Sequence, residues 1–115
     1  MFGHQPPASA QRKVQQLCRQ VEERLGLVLA GEVEDPALQD LYIVDVTPEP
    51  GGGRLVVRLA RAPGTAIASL ADIVPRLDAL RPFLRTEIAA AIHRKRTPDL
   101  VFQILQRDPH EEDDA

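Results

Sequence analysis

The sequence predicts an α+β domain: a three-stranded sheet with helices on one face. Three observations lead there. An amphipathic helical stripe fills the first quarter of the chain, two β-rich runs flank a Pro/Gly turn, and a long helical stretch separates them from a last β-rich run. The order is α-β-β-α-(kink)-α-β. Helices between the second and third strands are long enough for a crossover connection, and covering one sheet face buries every apolar stripe. At 115 residues and 43% hydrophobic content, the chain supports one core, built mainly from Leu, Val, Ile and Ala.

The first helix is expected from Gln11 to Ala30. Val14, Leu17, Cys18, Val21, Leu25, Val28 and Leu29 fall on one stripe, and Gly31 is the expected stop. Ser9 is a suitable cap. Residues 1–10, with Pro6-Pro7 and no period, read as a disordered lead-in. Glu32 to Asp40 connects to a strand over Leu41–Thr47, whose faces are Leu41/Ile43 and Tyr42/Val44/Val46. Pro48-Glu49-Pro50-Gly51-Gly52-Gly53 is a turn, and Arg54–Arg61 the returning strand of an antiparallel hairpin.

The next helix contains two prolines. With Asp72 as N-cap, Pro75 falls in the first turn, where its missing N–H is harmless; a start near Thr65 makes it a kink instead. The first placement is preferred, with Ala66–Ala71 as a preceding turn. Pro82 interrupts a stripe, Ile73, Leu77, Leu80, Leu84, Ile88, that continues through it. Two helical segments are therefore expected to share one buried face across a kink at Leu80-Arg81-Pro82. Leu100–Leu105 alternates as the last strand, and Asp108–Ala115 reads as an acidic disordered tail.

Charge is unevenly distributed. The chain has 14 Lys and Arg against 17 Asp and Glu, yet five of the acids lie in the tail, so the body is mildly basic. Arg76, Arg81, Arg85, Arg94, Lys95 and Arg96 concentrate in the second helical stretch and its exit. They read as a face for a polyanion, with Arg suited to bidentate phosphate contact. The competing reading is a solvated helix face with ion pairs, Asp78 and Arg81 being in range at i,i+3. Arg85 and Glu87 are also open to a structural role.

No nucleophile elbow, P-loop or Ser-His-Asp set is present, so no catalytic residues are expected. One Cys and no close His/carboxylate spacing make a metal site or cofactor unexpected, and Cys18 reads as core. A single Cys, no apolar leader and no membrane-length apolar run indicate a cytoplasmic protein with no membrane partner.

Several motifs, in order, resemble the ribosome-binding factor A family. Val33 and Asp35-Pro36-Ala37-Leu38 after the first helix resemble its D-P-x-L segment, and Leu41–Val46 with Arg54–Leu59 its hairpin. Phe83-Leu84-Arg85-Thr86-Glu87-Ile88 resembles its helix after the kink. Arg96-Thr97-Pro98-Asp99-Leu100-Val101-Phe102 is similar to its approach to the last strand. The resemblance spans roughly Gln11 to Arg107 and implies a type II KH-like fold in residues 11–107. The family's Ala-x-Gly kink is replaced here by Leu80-Arg81-Pro82, and its aspartate-containing hairpin turn by a glycine-rich one. It also implies a non-enzymatic assembly factor, monomeric when free, that binds the 30S subunit and 16S rRNA during late maturation and pre-rRNA processing. A protein-protein adaptor using the hairpin or a sheet edge is the competing function.

Overall fold

A computed structural model describes residues 8–51, 53–62, 69–92 and 96–105. The expected ends, 1–7 and 106–115, lie outside them. The elements are α1 (Ala8–Gly31), a 3₁₀ turn (Pro36–Leu38), β1 (Leu41–Pro48), β2 (Arg54–Arg61), α2 (Leu70–Ala91) and β3 (Asp99–Leu105). The sheet order is β1-β2-β3, with β1 antiparallel and β3 parallel to β2. The α+β class and the crossover thus hold. α1 packs on β1 and on α2, while α2 also contacts β3 and the 3₁₀ turn.

Helix α1 starts three residues earlier than expected, so Ala8–Ala10 are helix and Ser9 lies inside it. At the other end the Val28 carbonyl accepts from Glu32 N (2.8 Å) and Val33 N (3.2 Å). This turns the chain so that Val33 packs into the core. The expected stop at Gly31 does not use a left-handed residue; Gly51, with φ of 72°, is the described glycine that does, in the hairpin turn.

Helix α2 departs furthest from expectation. Its N-cap is Ser69, whose hydroxyl accepts from the Asp72 backbone N–H at 3.3 Å. Asp72 therefore lies in the first turn, and Pro75 falls in the second. Of the preceding segment, Ala66–Ala68 lie outside the described residues, while Leu70 and Ala71 are already helix. The helix then continues unbroken through Arg81-Pro82 to Ala91, giving one element of 22 residues in place of two segments. Pro82 takes the partner from the Asp78 carbonyl without ending the helix, because the bonds of neighbouring residues and the buried stripe persist. Ile73, Leu77, Leu84 and Ile88 are buried on both sides of it, and Leu80 is partly buried.

The two β1 faces also differ from the expected alternation. Ile43 pairs with Leu59, but Asp45 pairs with Arg58, so Val44 is an extra residue in β1. This bulge moves Val46 onto the core face with Leu41 and Ile43, where it opposes Val57. On β3, Leu100, Phe102 and Ile104 face the same core. Leu25, Leu38, Leu59, Ile73, Leu77, Leu84, Ile88 and Leu100 are almost fully buried and tie both helices to the sheet. The other sheet face carries Asp45, Arg58, Val56 and Val101, with no described helix over it.

Candidate nucleic-acid interface

The sequence groups six cations on one face. Arg94 and Lys95 lie outside the described residues. The other four separate into two groups. Arg76 turns toward the 3₁₀ turn, where its Nη1 donates to both Asp35 oxygens at 2.9 and 2.8 Å. Asp35 is held there by a second donor, the Ala37 backbone N–H at 3.0 Å. The Arg76 guanidinium first, and then this N–H, lower the Asp35 pKa. Arg76 therefore fixes the loop between α1 and β1 and does not continue the Arg81/Arg85 side of the helix.

Arg81 and Arg85 lie one turn apart on the side of α2 that faces β3. Arg81 pairs with Asp78 and stands over the Phe102 ring, 5.6 Å from its centroid. Arg85 donates from Nη2 to the Thr97 carbonyl at 3.2 Å and brings Nε within 3.2 Å of Asp99 Oδ1. Arg96 is exposed beside Thr97, at the approach to β3, and has no described partner. Arg81, Arg85 and Arg96 thus share the α2–β3 edge. Two of the three are already engaged by carboxylates, Arg81 by Asp78 and Arg85 by Asp99. The Nε atoms of Arg81 and Arg85 are shielded and make no hydrogen bond, which leaves the terminal amino groups as the accessible donors.

Leu80, Arg81 and Pro82, the expected kink triplet, lie inside α2 at this same edge. The Thr86 hydroxyl donates to the Pro82 carbonyl at 3.0 Å, a side-chain bond reaching back four residues. Glu87 pairs with Arg24 and joins α2 to α1. Both partners are only part-exposed, so the structural reading of Glu87 is the one observed. On the outer sheet face, Asp45 takes a two-point bond from Arg58, whose guanidinium lowers the Asp45 pKa. Glu49 takes a two-point bond from Arg54 at 2.7 and 2.9 Å. These hairpin carboxylates are ion-pair partners across β1 and β2.

No family model matches the sequence. The chain is 29% identical to ribosome-binding factor A of Nitrobacter winogradskyi over an alignment of 121 positions. That alignment takes in 90% of this chain and 77% of the relative. The fold matches the crystal structure of ribosome-binding factor A from Thermus thermophilus with a TM-score of 0.57. The match covers 82% of this chain and 93% of that one at 21% identity. In class, then, this is a small KH-like α+β domain of the kind found in ribosome-binding factors. The particular protein it resembles, in both sequence and fold, is ribosome-binding factor A. No described helix is long and apolar enough to cross a membrane.

Proposed function

We propose that this protein is a non-enzymatic ribosome assembly factor that binds the small (30S) subunit and its 16S rRNA during late maturation and pre-rRNA processing. The observation that carries the reading is the relative named ribosome-binding factor A, aligned over 90% of the chain. Arg81, Arg85 and Arg96 on the α2–β3 edge neutralise phosphates, together with Arg94 and Lys95 of the same basic run in the sequence, and Pro82 shapes the helix that carries the first two. Arg76 anchors the loop behind them. RNA reaches Arg81 and Arg85 by competing with Asp78 and Asp99, which are both more than half exposed and cost little to displace.

The test is sedimentation of the purified protein with 30S subunits, 50S subunits and 70S ribosomes at low and moderate salt. Selective pelleting with 30S, weakened by salt, is expected. Reversing Arg94, Lys95 and Arg96 to Glu should abolish it while the circular dichroism spectrum stays unchanged. Pelleting of that variant at wild-type level would reject the edge.

A further inference from the structure

The described cations that the fold leaves without a partner lie mostly elsewhere. Arg12, Lys13 and Arg19 on α1 are exposed and make no ion pair with any described residue. Arg19 has Glu22 and Glu23 at i+3 and i+4, within helical reach, and pairs with neither. Arg12 and Arg19 are seven residues apart, so they share one face, about 10.5 Å apart along the axis. Helix electrostatics gives no reason for this placement. The positive end of the macrodipole is at Ala8, and the first turn has no acid to offset it.

Lys13 lies on the flank of α1 that carries Arg24 and faces α2, but beside Arg12 and Arg19 a groove of about 790 Å³ opens between α1 and the end of β1. Val14, Cys18, Val46 and Pro48 give it apolar walls, Gln11 and Gln15 supply amides, and Arg19 reaches in from the helix. Glu22 also lines it and confines the cationic part to the N-terminal half of α1. The three kinds of group match the base and the phosphates of a nucleotide. Apolar side chains accept the face of a base, a carboxamide pairs with a base edge, and cations hold the phosphates. A duplex keeps its bases stacked, so a groove of this kind takes an unpaired strand.

We infer that the α1–β1 groove is a second RNA site that takes an unpaired segment, with a base among Val14, Val46 and Pro48 and neighbouring phosphates on Arg12 and Arg19. This rests on the ribosome-binding reading and adds to it. β1 and β3 are opposite edges of the sheet, so the two sites face apart and engage two separate stretches of RNA. An acidic peptide would satisfy the cations and leave the amides without a function, which is why RNA is the occupant argued for.

The experiment uses the full chain and two probes: a fluorescein-labelled decauridylate, read by anisotropy, and isolated 30S subunits, read by pelleting. Arg12→Glu/Arg19→Glu should bind decauridylate at least tenfold more weakly. Its slope of log K against log salt should be shallower by about 1.4, for two phosphates on a single strand. Arg19→Glu adds like charges beside Glu22 and Glu23, at a small cost to the helix, so the melting temperature should fall only slightly. Gln11→Ala/Gln15→Ala should weaken binding several-fold with the salt slope unchanged. Full affinity in that variant would overturn the base-binding groove. Tighter binding of a labelled decaglutamate than of decauridylate would replace RNA by an acidic protein segment. If wild-type protein fails to pellet with 30S, the ribosome-binding reading itself falls. If it pellets and the Arg12→Glu/Arg19→Glu variant binds both probes as well as wild type, the α1–β1 site alone is rejected.

Discussion

Along the α2–β3 edge, Arg81 pairs with Asp78 and stands over Phe102, and Arg85 reaches Thr97 and Asp99. Along the α1–β1 edge, Arg12 and Arg19 stand in solvent with no carboxylate partner among the described residues. Both edges are basic by composition. The first edge uses its cations to join helix to strand, so a phosphate arriving there exchanges one partner for another. The second meets a phosphate with its charges uncompensated. Counting cations along a sequence therefore locates basic segments, while the geometry of the carboxylates decides which charges are available.

Four experiments probe this difference between the edges, beginning with the greatest expected effect. Leu84→Ala removes a side chain that is 1% exposed and belongs to the core shared by both helices and the sheet. A loss of roughly 2–5 kcal/mol is expected in chemical denaturation, with both edges failing together. A wild-type midpoint would mean that the edges do not depend on a common core. Pro82→Ala returns an N–H to the Asp78 carbonyl. Since an interior proline costs a helix on the order of 3 kcal/mol, a rise in stability of roughly 1–3 kcal/mol is expected. If Pro82 shapes the α2–β3 edge for RNA, 30S pelleting falls as the melting temperature rises; equal pelleting would remove the proline from the function.

The third experiment sets Arg85→Ala against Arg19→Ala. The first loses the Thr97 and Asp99 contacts and should cost about 1 kcal/mol. The second should stay within about 0.5 kcal/mol of wild type, because it removes no described contact. Equal losses in parallel melts would erase the distinction between engaged and free cations. The smallest effect is in acid. Asp35 and Asp45 have lowered pKa values because Arg76 and Arg58 donate to them. Their stabilisation is fully present above the ordinary aspartate pKa and fades only as pH falls through their lower folded values. Relative to wild type, Asp35→Asn and Asp45→Asn should be slightly less stable at neutral pH. That difference should close in strong acid; a gap that widens on acidification would contradict the assignment.

Much of this architecture is legible in the residues. The α1 stripe, the hairpin, the β3 alternation and the run Ile73–Ile88 all follow from local periodicity, which burial on one face enforces. What local pattern does not convey is the single extra residue at Val44, since a bulge reverses the inward and outward sense of everything after it. Nor does it resolve α2. Two prolines suggest two breaks, whereas Ser69-Leu70-Ala71-Asp72 carries a cap signal that places the start, and the buried stripe carries the helix through Pro82. Site partners are the least legible. Asp78–Arg81 is a neighbour pair and readable, but Arg76–Asp35 and Arg24–Glu87 join residues 41 and 63 positions apart. The α1 cations have a readable sign, basic residues early in a helix with no acid in its first turn, that the denser run near Arg94 overshadows.

The bulge at Val44 also bears on how the protein behaves at high concentration. β1 is a sheet edge, and a regular edge of this length is a template onto which another chain can add a strand. An inserted residue at Val44 breaks the even spacing of the outward N–H and C=O groups, and Pro48 removes a donor at the far end of the strand. A strand with exposed Tyr42 and Val44 is thereby a poorer template for edge-to-edge stacking, and the groove beside it stays open. Straightening the strand by deleting Val44 would be expected to trade solubility for regularity, with turbidity on concentration as the sign.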